Sequence, residues 1–310
     1  MRILVTGGAG FIGSHLVDAL IDKGFKVFIV DNLSTGKKEN VNKKAKLIIE
    51  DIRNRKEILK IFKKIKPEIV YHLAAQASVS FSMKNPSLDV EVNVLGGLNV
   101  LEGAIEGGAK RFIFSSTGGA IYGEVPEGKK AREDWDTKPE SIYGLSKLAF
   151  ENYLKILAKD KIKYVILRFS NVYGPRQDPY GEAGVVAIFC NNLLQKKPVK
   201  LFAMKKKGDK GCIRDYIYVE DVVNACLISE KMPQGIYNVG TGIGRHTIEV
   251  YEEIKRNLGW EGKIIFEGKR VGDLERNVLD ASKLKNYGWE INNQFRVGIL
   301  KTVDFFRKIC

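Results

Sequence analysis

Short apolar runs alternate with longer stretches of helical spacing through the first half of the chain. Ile3–Thr6, Lys26–Val30, Lys46–Ile49, Ile69–His72, Arg111–Ser115 and Lys163–Phe169 read as strands. Between them, Phe11–Lys23, Arg55–Ile65, Asp89–Glu106 and Ser141–Ala158 read as helices. Gly24 and Gly107-Gly108 stand where a helix end needs a residue that tolerates the left-handed turn. This alternation predicts an α/β fold, a doubly wound parallel sheet of Rossmann type with helices on both faces. After Phe169 the texture changes. The stretch from Tyr173 to Gly181 is rich in turn residues, and later elements are shorter. The chain is expected to divide into a Rossmann domain over 1–170 and a smaller C-terminal α/β lobe over 171–310, interleaved with the first.

Composition narrows the class. Of 310 residues, 44% are hydrophobic, enough for a sizeable core. No stretch approaches the roughly 18 apolar residues of a membrane span. Met1 runs straight into a strand pattern, without the apolar region of a signal peptide, so a soluble cytoplasmic protein with no membrane partner is expected. Cys190, Cys212, Cys226 and Cys310 stand far apart, as do His15, His72 and His246. The cysteines read as small apolar side chains plus one terminal thiol, and no metal site is expected. The net charge is +14, yet the lysines alternate with acids along helical stretches, and only Lys205-Lys206-Lys207 forms a cluster. A solvated surface explains this better than a nucleic-acid partner. The positive field would still favour a ligand carrying a diphosphate.

Gly7, Gly10 and Gly13 follow the first strand at the spacing G-x-x-G-x-x-G. In order, they would permit a tight turn, close approach of a pyrophosphate and close helix–strand packing. The helix opening near Phe11 aims its N–H groups at that phosphate. Asp31 ends the second strand, where a carboxylate would accept from an adenosine ribose and repel a 2′-phosphate, favouring NAD. Asp51-Ile52, after the third strand, could hold the adenine edge. Tyr143 and Lys147 lie four residues apart, on one face of a helix. A phenol is a poor base at neutral pH, and a nearby ammonium favours its phenolate. Strand five leads into Ser115-Ser116-Thr117-Gly118-Gly119, and strand C-terminal ends are where open α/β sheets place ligands. Thr117 is chosen over Ser116 as the hydroxyl sharing a proton with Tyr143.

With these residues in hand, the chain resembles the UDP-galactose (UDP-glucose) 4-epimerases of the extended short-chain dehydrogenase/reductase family. The resemblance runs through VTGGAGFIGSHLVDAL from Val5, DNLSTG from Asp31, HLAAQASV from His72, FSSTGGAIYG from Phe114 and YGLSK from Tyr143. It continues through NVYGPRQDP from Asn171, RDYIYVEDV from Arg214 and YNVGTG from Tyr237. It implies NAD-dependent epimerisation at C4 of a UDP-hexose. Tyr143 would take the 4-hydroxyl proton as hydride leaves C4, and hydride would return to the opposite face of a transient 4-keto sugar. Lys147 would hold the nicotinamide ribose. The cofactor wall would comprise Gly7, Gly10, Phe11, Ile12, Gly13, Asp31, Asn32, Ser34, Thr35, Gly36, Asp51, Ile52, Leu73, Ala74, Ala75, Gln76, Asn93 and Ser115, with Tyr143 and Lys147. The 171–310 lobe would bind the nucleotide sugar. Thr117, Gly118, Gly119, Tyr143, Asn171, Val185, Val186, Arg214, Arg270 and Asp273 would contact it, the two arginines at the diphosphate. A homodimer is implied, pairing helices near 93–106 and 144–158 with their copies.

Two departures bear on substrate. The segment Thr117-Gly118-Gly119-Ala120 is one residue longer than the commoner family form. Asn277 stands where many UDP-galactose-specific members carry Tyr, which leaves room for a 2-acetamido group and admits N-acetylhexosamines. Sugar-nucleotide 4,6-dehydratases and decarboxylases are the nearest rivals. They place an acid directly after the strand-five hydroxyl, whereas no carboxylate occurs here until Glu124. A non-catalytic NAD-binding module would typically lack the tyrosine or lysine, and both are present.

Overall fold

The computed structural model describes residues 1–181, 184–260, 262–270 and 273–309. The chain forms two compact units and passes repeatedly from one to the other. Met1–Thr117, Ser141–Arg168 and Val223–Tyr237 make the first; Gly118–Glu140, Phe169–Val222 and Asn238–Cys310 make the second.

The first unit is built on β1 (Arg2–Thr6), α1 (Phe11–Asp22), β2 (Lys26–Asp31), β3 (Lys46–Ile49), α2 (Arg55–Ile65) and β4 (Ile69–His72). It continues through α3 (Val79–Lys84), α4 (Pro86–Val90), a π-helical segment Glu91–Gly96, α5 (Gly97–Glu106) and β5 (Arg111–Thr117). After the short α6 (Gly118–Ile121) of the second unit come α7 (Ile142–Leu157) and β6 (Lys163–Phe169). With a later strand, β10 (Gly235–Val239), these form a seven-stranded sheet in the order β10-β6-β5-β4-β1-β2-β3. The pairs β1–β2, β1–β4, β2–β3 and β4–β5 are parallel. The order reverses at β1, the doubly wound topology whose switch point opens beside the first strand's C-terminal end.

Local chemistry explains the elements. Strands β1 and β4 are buried along nearly their whole length, as a sheet covered on both faces requires. Helix α2 starts at Asn54, whose side chain accepts from Glu57 N, and buries Ile58, Phe62 and Ile65 on one face. These pack with Leu4, Val70, Leu101, Phe112, Phe114 and Phe150 in the main core. One helix departs from the expected continuous Asp89–Glu106. It breaks into α4, the π segment and α5, because an extra residue per turn carries Asn93 inward to meet Gln76.

The second unit adds β7 (Asn171–Tyr173), α8 (Val185–Leu194), β8 (Val199–Phe202), β9 (Ile213–Tyr218) and α9 (Val219–Ile228), which runs on into the first unit. Beyond β10 come β11 (Gly244–His246), α10 (Thr247–Leu258), β12 (Ile264–Glu267), β13 (Arg276–Asn277), α11 (Ser282–Lys285) and α12 (Phe295–Arg307). Strand β9 is the hub, pairing with β7 and β13 in parallel and with β11 antiparallel. The buried Asp215 of β9 accepts from Thr241 N at 2.9 Å, Gly242 N at 2.9 Å and Leu279 N at 3.3 Å, so one carboxylate pins the turn after β10 to the strand that carries Arg214.

Candidate active site

Only glycine closes the loop after β1. Gly7 has φ +71°, and a Cβ there would lie 2.6 Å from Ala74 N. A Cβ at Gly13 would lie 2.0 Å from the Gly7 carbonyl oxygen. Gly10 is the N-cap of α1 and offers no side-chain cap, which leaves the first-turn N–H groups of Phe11, Ile12 and Gly13 and the positive helix end for an anion. Asp31 is buried at the end of β2, where its Oδ2 accepts from Ala9 N at 3.0 Å and its Oδ1 from Leu33 N at 2.9 Å. The residue therefore fixes the glycine loop as well as presenting an acid. Gly36 lies beside it, and a Cβ there would meet Asp31 Oδ1 at 2.8 Å.

Asn32 donates through Nδ2 to Asp51 Oδ2 at 2.9 Å and accepts through Oδ1 from Ser34 N at 3.0 Å, with Ser34 and Thr35 exposed. Hydrogen bonds from Arg53, aided by Asn32, hold the Asp51 carboxyl down at about 2. Ile52 is buried against the core. Leu73–Gln76 leaves β4 as a partly buried strap. Asn93 brackets its end, accepting from Gln76 N at 2.9 Å and donating to Gln76 O at 2.9 Å. Asn93 thus shapes this wall by holding its backbone. A side-chain-free glycine cradle, an uncapped helix start and a strand-end acid together fit NAD.

The three residues closing β5 separate in role. Ser115 Oγ donates to His72 O at 3.1 Å, while its own carbonyl accepts from Lys147 Nζ at 2.8 Å. Ser116 is buried and donates to Glu151 Oε1 at 2.6 Å; Glu151 is ion-paired with Arg168 at 2.6 Å, also inside the core. Thr117 instead hydrogen-bonds the Tyr143 phenol. Ser116 is committed to the buried ion pair, and the preference for Thr117 has a physical basis.

Helix α7 sets the height of Tyr143. Ser141 Oγ caps the helix by accepting from Gly144 N at 3.1 Å, and Ser82 Oγ accepts from Tyr143 N at 3.0 Å. One turn on, the buried Lys147 ammonium sits 4.7 Å from the centre of the Phe114 ring. Burial pushes the Tyr143 phenol up to about 12, opposed by the Thr117 hydrogen bond and reinforced by Asp89. Burial draws Lys147 down to about 8, opposed by Asp89 and Glu151. His72, at the end of β4 beside Phe114 of β5, is brought to about 3 by burial and by Lys147. The sequence leads one to expect the ammonium to dominate at Tyr143; burial outweighs it.

Sequence reading missed Ser82, Asp89, Ser146 and Glu151. Asp89 is fully buried and takes Ser146 Oγ at 2.5 Å and Gln76 Nε2 at 2.7 Å. Ser146 lies inside the quoted YGLSK block, but nothing in its spacing distinguishes it from a core serine.

The second unit holds the remaining expected residues. Arg270 pairs with Asp273 at 2.8 Å and lays its guanidinium 4.2 Å from the centre of the Phe202 ring. Val271 and Gly272 of that motif lie outside the described residues. Arg214 Nη1 donates to Ile213 O at 3.0 Å, and Asn171 Nδ2 reaches Asp215 O at 3.5 Å. Val185 opens α8 partly exposed, while Val186 is buried. Gly118 and Gly119 open α6. Asn277 is fully buried, donating to Gly118 O at 3.2 Å and Gly123 O at 3.3 Å, and its Oδ1 has no partner among the described residues. Glu124 accepts from the backbone N–H groups of Glu275 and Arg276. The lysine cluster is a closed loop, in which Asp209 accepts from Met204 N, Lys205 N and Lys206 N.

Among the described residues no group of His, Cys, Asp and Glu is placed to hold a metal ion, and no helix is long and apolar enough to cross a membrane. Cys190, Cys212 and Cys226 are buried thiols; Cys310 lies outside the described residues.

Known proteins are similar to the chain over nearly its whole length. A Mycolicibacterium smegmatis UDP-glucose 4-epimerase is 39% identical over 317 residues, covering 99% of both chains. The structure of the Thermus thermophilus UDP-glucose 4-epimerase in complex with NAD superposes with a TM-score of 0.97 at 50% identity, covering 100% of each chain. That of the Thermotoga maritima UDP-glucose 4-epimerase with UDP-glucose gives 0.96 at 45% identity, covering 100% of this chain and 99% of that one. The glycine loop, the β5 hydroxyls and the Tyr143–Lys147 helix all fall inside residues 3–240, the stretch matched by one family model, and the chain belongs to the NAD dependent epimerase/dehydratase family.

Proposed function

We propose that this chain interconverts the C4 epimers of UDP-hexoses. The observation that carries the reading is the Thr117–Tyr143 hydrogen bond at the end of β5, with Lys147 one turn away on the same helix. Thr117 and Tyr143 form a proton path suited to a sugar hydroxyl, and Lys147, fixed by Ser115 O, stands ready for the nicotinamide ribose. What these residues lack is a hydride acceptor, which bound NAD supplies. Asp31 favours NAD by repelling a 2′-phosphate.

Elimination chemistry is disfavoured by Glu124. It is the first carboxylate after Thr117, and it is tied to the backbone of Glu275 and Arg276 rather than free to remove a sugar proton. Arg214, Arg270, Asp273, Asn171 and the start of α8 are assigned to the nucleotide end, the arginines to the diphosphate. The amide of Asn277, smaller than a tyrosine and with one oxygen unpaired, favours acceptance of N-acetylhexosamines alongside the plain sugars.

The same reading makes the protein a cytoplasmic homodimer. Leu95 of the π segment and Leu145, Tyr153, Ile156 and Leu157 of α7 are exposed large apolar residues, and those on α7 recur at helical spacing. Helices 93–106 and 144–158 of two copies would cover them.

The test incubates purified protein with UDP-galactose and, separately, UDP-N-acetylglucosamine, without added cofactor, and resolves the products by chromatography. C4 epimers of either are expected. Loss of water or carbon dioxide from UDP- or dTDP-sugars, with no epimer formed, would move the protein to the dehydratase–decarboxylase branch.

A further inference from the structure

Asp89 belongs to the five-residue α4, has no solvent exposure, and lies outside every motif of the sequence. Three neutral donors converge on it: Ser146 Oγ at 2.5 Å on Oδ1, and Gln76 Nε2 at 2.7 Å and Asn93 Nδ2 at 3.1 Å on Oδ2. Donors aimed at both oxygens suit an ionised carboxylate, which can only accept. Burying that charge is costly, and the three hydrogen bonds offset part of the cost. The donors come from three places. Ser146 lies between Tyr143 and Lys147 on α7, Asn93 is in the π segment, and Gln76 ends the strap after β4.

We infer that Asp89 is a positioning residue of the redox centre, tying the Tyr143–Lys147 helix to the Gln76 wall of the cofactor site and setting the field at both side chains. The inference rests on the redox reading of Tyr143. The Asp89 charge favours the protonated form of both partners, raising Lys147 against the pull of burial and raising Tyr143. With Glu151, it favours the ammonium form of Lys147 that donates to Ser115 O. Other ionisable groups around the pair are accounted for. Glu151 on α7 is matched by Arg168 of β6, His72 of β4 is held neutral by burial, and Lys84 of α3 and Glu91 of the π segment are exposed.

The test compares wild type with Asp89→Asn, which keeps the shape and removes the charge. The variant should purify with NAD bound. Its kcat should fall at least ten-fold, with both limbs of the kcat–pH profile moved to lower pH by about one unit. A merely structural role would lower kcat and the melting temperature and leave both limbs in place, which overturns the inference. A second readout needs no turnover: the phenolate ultraviolet signal of Tyr143 in NAD-loaded protein, taken as the difference from Tyr143→Phe. Its midpoint should drop in Asp89→Asn, and an unchanged midpoint overturns the inference. Absence of epimer from wild type would defeat the proposed function alone, because the phenolate titration still decides the role of Asp89. If Asp89→Asn does not fold, Ser146→Ala removes a single donor and should cost about ten-fold in kcat at unchanged KM; wild-type kinetics there would also overturn it.

Discussion

Two adjacent hydroxyls at the end of β5 should fail in opposite ways. Ser116→Ala takes a donor from Glu151, a carboxylate inside the core whose other support is Arg168 at 2.6 Å. A hydrogen bond to a buried charge contributes about 1.5–3 kcal/mol. At roughly 2–4 °C per kcal/mol for a protein of this order of size, the melting temperature should drop by about 3–12 °C. Tyr143 and Thr117 are untouched, so kcat should stay within about two-fold of wild type. Thr117→Val keeps shape and burial but deletes the hydroxyl that hydrogen-bonds Tyr143 and lowers its affinity for the proton. The phenol would then rise further above about 12, and the proton path would be cut. Loss of a positioned acid–base partner typically costs 10²–10⁴-fold, so kcat should fall by about a hundred-fold with little change in melting. The assay pairs thermal unfolding with epimer formation at saturating substrate for both variants. Retained turnover in Thr117→Val, together with lost turnover in a fully stable Ser116→Ala, would show that the roles are reversed.

Tyr143→Phe should abolish turnover while the purified protein keeps its NAD, measured by cofactor content after denaturation; retained epimerisation rules Tyr143 out as the base. Turnover should decline above pH about 8 as Lys147, drawn down to that value by burial, loses its proton. Lys147→Arg, whose charge persists, should remove that alkaline limb in a kcat–pH profile at whatever activity remains. Gly13→Ala would place a methyl 2.0 Å from the Gly7 carbonyl oxygen, so bound NAD should fall several-fold and melting should drop by the equivalent of about 1–3 kcal/mol. Ile156→Glu puts a charge on an apolar stripe 73% exposed at that residue; if the proposed dimer forms, the variant should sediment as a monomer where wild type sediments as a dimer.

The sheet was legible because its strands obey the strongest rule available. Lys46–Ile49, Ile69–His72 and Lys163–Phe169 fall where the apolar runs place them, and helix Arg55–Ile65 begins and ends as its spacing and caps require. The break in Asp89–Glu106 was not legible. A π segment has the same composition as the α-helix it interrupts, and here it answers a demand 17 residues back in the chain, where the Gln76 backbone needs the Asn93 amide. The seventh strand, β10, was hidden for a similar reason, since its partner β6 lies far upstream. At the site, Gly7, Gly10, Gly13 and Asp31 could be read because local backbone geometry dictates residue type. Ser82, Asp89 and Glu151 could not, because each acts through a partner that only the tertiary fold supplies. The choice between Ser116 and Thr117 lay in between. Ser116 shares its side of β5 with the core residues Phe112 and Phe114, while Thr117 is the last residue of the strand.

The polar residues buried around α7 also bear on how the chemistry is timed. Lys147, Glu151, Arg168 and Asp89 all sit in the first unit's interior, where apolar side chains of similar volume would often be at least as stabilising. Asp89 acts on Tyr143 directly, and Asp89 and Glu151 both act on Lys147 one turn away. The fold's own groups leave that phenol at about 12, two units above its ordinary value, with Asp89 adding to burial and Thr117 alone opposing it. Held this way, the phenol keeps its proton more tightly than an exposed tyrosine. Positive charge added close by would favour its phenolate, and a bound oxidised nicotinamide would supply such a charge. On the proposed reading of Tyr143 as the base, desolvation holds its proton until that charge would be in place.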